Sequence, residues 1–341
     1  MAKEFVPVRV QSMNGVNIEL FQFEYDLTWM AFFMDAEDRF YARYGGREDE
    51  DAESYLSQPS LVRVMRQALK LHREGDVLAG RYESNGRPPR FPEDIPTMPG
   101  MLQRRENKCI HCHDVKVAQL RQLRSEGRFS RDLVRSYPRP SAIGLTVERH
   151  EQNKLAAVAA GSAAERAGLL PGDVMLAADG RRIITAADLS RVLELTPEEA
   201  TLPLSIRRDG TVRTIKLSLA GDWKRVGDVS WRASVETAGP NLGFWATPLD
   251  AEQKRARGIG ADALAQRVTF LFPGHPTPPR ADLRLEDVVI VLDGRREAMT
   301  TRQMHAHCQM NHDYGDKLSV TILRGDEEIE LTLELPAEPE D

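Results

Sequence analysis

Ala167-Gly168-Leu169-Leu170-Pro171-Gly172-Asp173-Val174 is the stretch whose reading decides the fold of this chain. Turn and strand signals follow it at short intervals. Asp179-Gly180 is a tight turn, Asp188 to Leu193 opens a helix, and Leu204 to Leu219 is a strand hairpin turning at Asp209-Gly210. The same grammar returns at Ala281-Asp282-Leu283-Arg284-Leu285-Glu286-Asp287-Val288, with Asp282 and Glu286 where the first copy has glycines. Asp293-Gly294 and a terminal hairpin around Arg324-Gly325-Asp326 complete the repeat. Between the copies' turn signals, Asp250 to Pro279 reads as an insert with a loop at Phe272-Pro273-Gly274-His275-Pro276.

Residues 140–222 resemble the PDZ domain of bacterial high-temperature-requirement proteases. Ile143-Gly144-Leu145 matches the carboxylate-binding loop, and Val158 to Ala164 the turn after it, with Ala163 in place of proline. Residues 225–337 resemble a degenerate second copy, with Leu242-Gly243-Phe244 as its loop. The resemblance implies that an extended peptide adds as a strand beside Leu145 while backbone N–H groups around Gly144 hold its terminal carboxylate. Glycine suits so close an approach of another backbone. Ile143, Gly144, Leu145, Leu189 and Val192 are the expected peptide-binding residues, with Ala187 beside them.

Cys109-Ile110-His111-Cys112-His113 has the spacing of c-type haem attachment. Each thiol would add to a vinyl group and His113 would bind the iron, with Met98 or Met101 as second axial ligand. The cofactor expected on this reading is covalent haem c. The alternatives are a redox pair, Cys109 and Cys112, and a partial metal site. His305, Cys308 and His312 would share one helix side, but half-buried, solvated histidines are the commoner explanation.

Upstream, Phe5 to Val10 reads as a strand, Trp29 to Met34 as a buried strand, and Arg39 to Tyr44 as its hairpin partner; a helix capped by Ser60 follows. This order resembles the second half of a thioredoxin fold, in a bacterial family that couples it to a CxxCH segment and PDZ domains. Some members carry cysteine or selenocysteine in the thioredoxin part. Here the redox motif is missing, and Thr28 stands where thioredoxins place a cis-proline. The expected architecture is therefore an α+β multidomain chain. A partial thioredoxin-like domain covers 1–75 and a proline-rich, extended connector with the CxxCH segment and a helix covers 76–139. PDZ-like modules cover 140–222 and 225–337.

The chain has 341 residues and a net charge of −6, without the basic footprint of a nucleic-acid binder. It has no apolar run long enough to span a membrane. Met1 to Glu4 lacks the apolar core of a signal peptide, so the expectation is a start inside the ancestral domain and an exported, periplasmic protein. No G-x-S-x-G pattern or supported serine/histidine/aspartate arrangement occurs, so no protease site is expected, and any enzyme would be a thiol–disulfide oxidoreductase. The expected function is a haem-carrying electron-transfer or sensing protein that binds protein tails and a redox partner. A thiol oxidoreductase or a non-redox PDZ scaffold stands as the alternative.

Overall fold

The computed structural model describes residues 2–49, 51–75, 87–103 and 106–338. Met1–Asp228 forms one compact unit and Val229–Asp341 a second.

In the first unit, β1 (Met30–Met34) and β2 (Phe40–Gly45) pair antiparallel. Their turn is held by Asp35, whose Oδ1 accepts the backbone N–H groups of Glu37 and Arg39, both at 3.0 Å. Edge-to-face rings of Phe21, Phe23, Phe32 and Phe40 fill one side of the hairpin. Helix α1 (Gln58–Arg73) follows, with proline in its first turn. Its cap is Ser57, not Ser60; Ser60 is buried and bonds the Tyr44 hydroxyl instead. Phe5 to Val10 does not form the expected strand. Val6, Val8 and Val10 are 89, 80 and 60% exposed and have no apolar surface to lie on.

The expected connector is corrected as well. Its first part, 76–86, lies outside the described residues, and Pro92 to Leu102 folds rather than extends, whereas the expected helix after the CxxCH does form. Helix α2 (Met98–Leu102) and helix α3 (Cys112–Ser125) bracket the CxxCH loop. Ile95, Met98 and Ile110 are wholly buried in a core with Met13, Ile18, Phe23, Tyr25, Val115 and Ala118. The backbone is tied across it, Met13 N–H donating to Ile110 O at 2.8 Å and Ile18 N–H to Arg90 O at 2.8 Å.

Strands β3 (Leu145–Val147) and β4 (Leu155–Val158) then pair antiparallel. Helix α4 (Ala163–Arg166), β5 (Val174–Ala178), β6 (Arg181–Arg182), helix α5 (Ala186–Leu195), β7 (Ala200–Arg208) and β8 (Thr211–Leu219) complete the unit, the sheet running β6-β5-β7-β8. A bridge between Lys154 and Val174 joins the two sheets. Asp173 explains its place in the opening motif. It is buried, accepts the Leu170 N–H at 2.9 Å, and takes both arms of the Arg208 guanidinium at 2.6 Å.

The second unit runs β9 (Phe244–Pro248), helix α6 (Ala251–Ala256), β10 (Gln266–Leu271), helix α7 (Thr277–Arg280), β11 (Val288–Leu292), helix α8 (Thr301–Asn311), β12 (Lys317–Arg324) and β13 (Glu327–Glu334). One sheet of order β13-β12-β11-β10-β9 holds it together. The supposed insert is therefore only partly extra: α6 is added, while β10 is a sheet strand. Asp287 repeats the role of Asp173, accepting the Arg284 N–H at 2.8 Å and the Arg324 guanidinium at 2.9 and 2.8 Å. Asp282 (φ 56°) and Glu286 (φ 70°) keep the left-handed backbone that Gly168 (φ 81°) and Gly172 (φ 90°) adopt in the first unit.

Candidate peptide-binding groove

A groove for an extended peptide needs a free strand edge, donors at one end, and a helix along its side. In the first unit β3 pairs only β4, and among the described residues no strand pairs with its other edge. Gly144 ends the turn of Pro140–Ile143 at φ 87°, with its N–H on Ser141 O at 3.0 Å. A Cβ on Gly144 would stand 2.1 Å from Ser162 Cβ, so only glycine fits there. Ser162 in turn caps α4 through the Glu165 N–H. Helix α5 is started by Thr185, and its Asp188 accepts the N–H groups of Ile184, Thr185 and Arg43 at 3.1, 3.0 and 2.9 Å. Burial raises the Asp188 carboxyl above the ordinary carboxylate value, and Arg43 opposes that rise.

Ile143, Leu145, Leu189 and Val192 are core residues of this module, at most 3% exposed. Leu189 and Val192 thus point into the packed interior, and they do not offer a solvent-facing pocket in this conformation. The surface left beside β3 is small and polar: Thr146 is exposed and Ser190 on α5 is half-buried. The helix period alone could not separate the core side of α5 from the side along β3, because the helix is covered by residues far away in sequence.

The corresponding place in the second unit is filled. His305 on α8 reaches β9, its Nε2–H donating to Phe244 O at 2.8 Å and its Nδ1 accepting the Leu242 N–H at 3.4 Å. Its ring is stacked with Phe272 at 6.0 Å and with Trp245 at 5.9 Å. His275 abuts Gly243, whose Cβ would fall 2.1 Å from the imidazole Nδ1. Burial pushes both imidazoles below their ordinary pKa. Sequence reading missed these two roles, since only the fold sets His275 against the loop. The expected alignment of His305, Cys308 and His312 is also broken: Cys308 is wholly buried in the core, and His312 lies beyond the helix as its cap.

The residues of the CxxCH loop do not fit a porphyrin. Ile110, between the cysteines, is buried, and Met98 is wholly enclosed by core side chains. Met101 is packed against the same core. The His113 ring stacks on His111 at 5.6 Å, and its Nε2 stands 3.6 Å from Asp114. The apolar surface that would cover a macrocycle is taken up by the protein itself. The Cys109–Cys112 redox reading is weakened too, because burial, with Asp114 adding to it, raises the Cys112 thiol above its ordinary pKa. A reactive cysteine needs the opposite shift.

The PDZ domain family matches residues 155–208, from β4 to the end of β7. The chain carries a PDZ domain. Over 163 residues it is 26% identical to a "Probable periplasmic serine endoprotease DegP-like" of Pseudomonas savastanoi pv. phaseolicola, covering 46% of this chain and 34% of that protein. A protein of the same description from Pseudomonas fulva is 27% identical over 154 residues, covering 43% and 32%. The chain thus spans about a third of the length of the curated relatives it matches. Among solved structures it is similar to "HtrA-type protease AlgW with decapeptide", at 17% identity and TM-score 0.26, covering half of each chain.

Two expectations are corrected by these relatives. A haem-carrying redox protein is not what the chain resembles, since the relatives are named serine endoproteases and the recognised domain is PDZ. The expectation of a chain with no protease site, and no enzyme other than an oxidoreductase, conflicts with the same names and is withdrawn. No helix of the described residues is long and apolar enough to cross a membrane.

Proposed function

We propose that this is an exported protein whose first unit captures extended peptide tails through its PDZ groove, in the service of periplasmic proteolysis. The observation that carries the reading is the unpaired edge of β3, ended by Gly144 in a conformation that only glycine fills. A tail laid along that edge adds a strand to β3 and β4, and its carboxylate displaces Ser141 O from the Gly144 N–H. Ile143, Gly144 and Leu145 are the receiving backbone. Leu189 and Val192 back the groove from the core. The compartment and the link to proteolysis come from the relatives' description as periplasmic serine endoproteases.

We also assign the second unit to the PDZ plan, because its strands, helices and buried Asp287–Arg324 pair follow the order of the first. The β1, β2 and α1 order in turn supports a thioredoxin-like remnant near the start of the chain.

Fluorescence anisotropy with a labelled peptide library tests the reading. Peptides with a free C-terminus should bind saturably, and amidation should weaken them by about ten- to a hundredfold, the worth of a charge-assisted hydrogen bond. N-methylation of alternate backbone nitrogens should abolish binding. Equal affinity for free and amidated ends would overturn tail capture. Degradation of casein by the full chain, with and without a bound tail, tests the link to proteolysis. A rate that no peptide changes would count against it.

A further inference from the structure

The Asp293-Gly294 turn after β11 has a counterpart in the first unit. Asp179 (φ 49°) donates its N–H to Pro203 O, and Asp293 (φ 53°) donates to Ser319 O in the same way, at 2.9 and 2.8 Å. The turn therefore belongs to the fold. What the second unit adds is a pair of imidazoles. Helix α5 carries no histidine, whereas α8 carries His307 in its C-terminal half and is capped by His312. Both rings face the same carboxylate oxygen: His307 Nε2 and His312 Nε2 each lie 2.9 Å from Asp293 Oδ2. The three ligand atoms lie within 4.8 Å of one another. The imidazoles are largely buried, 12 and 14% exposed, while Asp293 keeps 33% of its side chain open to water.

We propose that Asp293, His307 and His312 bind a divalent d-block cation of the zinc type. Imidazole nitrogens and a carboxylate oxygen are the donors such an ion takes, at about 2.0–2.2 Å, and a small closing of the two rings brings all three to that distance. Water fills the remaining coordination, reached from the open side of Asp293. The groups behind the ligands suit this role. Asp316 Oδ2 lies 3.9 Å from His312 Nδ1, on the side where a carboxylate can orient a metal-bound histidine once the ring moves. Asn311 bonds His307 Nδ1 at 3.2 Å through its side-chain amide. Binding through Nε2 places the remaining ring proton on Nδ1, and in His312 that nitrogen faces Asp316 at a distance a bridging water can span. In the other ring Nδ1 faces the Asn311 amide, which also donates to His307 O at 2.7 Å. The site ties the end of α8 to the β11 turn, and so braces the helix that holds His305 across the second groove.

The test is isothermal titration of chelator-stripped full-length protein with zinc chloride. It is run in a Cys109→Ser/Cys112→Ser background so that the thiols do not compete. Saturable, equimolar binding is expected, unchanged in His150→Ala. It should be lost in His307→Ala and His312→Ala and weakened by about tenfold in Asp316→Asn, the usual effect of losing an orienting group. Zinc should raise the thermal midpoint of the parent but not of the histidine variants. Should either histidine variant unfold by circular dichroism, Asp293→Asn, which tolerates the left-handed turn, reads out the same loss. Absence of saturable binding in the parent background, or binding unchanged in the His307→Ala/His312→Ala double variant, would overturn the proposal.

Discussion

The two units share a plan and differ at the groove. Each has an edge strand, a long helix beside it, an Asp-Gly turn, and a buried aspartate clasped by an arginine from the closing hairpin. In the first, the strand edge at β3 is open and the loop ends on Gly144 against Ser162. In the second, His305 occupies the carbonyl of Phe244 and His275 fills the space beside Gly243. The scaffold is thus set by turns and one buried ion pair, and the availability of the groove by two imidazoles.

The shared clasp gives the largest expected effect. Asp173→Ala and Asp287→Ala should each destabilise their own unit by about 3 kcal/mol, the low end for breaking a buried pair because the arginines keep some contact with water. Denaturant unfolding checks this, and a cost confined to one unit would break the equivalence. The helix caps should separate the units next. Asp188→Ala strips three buried N–H groups of their acceptor and should cost about 3 kcal/mol. Gln303→Ala, at the same cap position of the exposed Thr300 box, should cost about 1 kcal/mol or less.

The imidazoles of His305 and His275 predict a pH dependence in the second unit. The folded pKa of His305 is depressed, so the unfolded chain binds its proton first. The stability held by neutral His305 is complete above the unfolded value, about 6.5, and is lost as the pH falls below it. His275 adds in the same direction. Hydrogen exchange of β9 between pH 7.5 and 5 should show this opening, and His305→Phe should flatten it. A comparably small effect concerns Glu286, a non-glycine at φ 70°. Glu286→Gly should stabilise the second unit by about 1 kcal/mol, as relief of left-handed strain does. A loss of stability would show that its contact with Arg267 matters more.

What could be read from the sequence was whatever depends on local backbone. Gly168, Gly172, Asp179-Gly180 and Asp209-Gly210 announce their turns by residue type, and the first module follows from them. What could not be read depends on distant partners. Val6, Val8 and Val10 alternate like a strand but meet no sheet, whereas Pro92 to Met98 looks like linker and packs beneath Met13 and Ile18. The CxxCH spacing is real, yet a motif says nothing of the space around it, and Ile110 and Met98 have taken that space. Leu189 and Val192 have the right period for a pocket, but they serve the core.

The placement of two sulfurs has a practical outcome. Cys112 is half-buried at the start of α3 in the first unit, and Cys308 is sealed inside the second. Alkylation of Cys308 must therefore wait until the second unit loosens, whereas Cys112 is partly within reach of a thiol reagent in the folded chain. Mass spectrometry of the Cys308 peptide would then time the breathing of the second unit, with the Cys112 peptide as the fast-reacting reference and no engineered label.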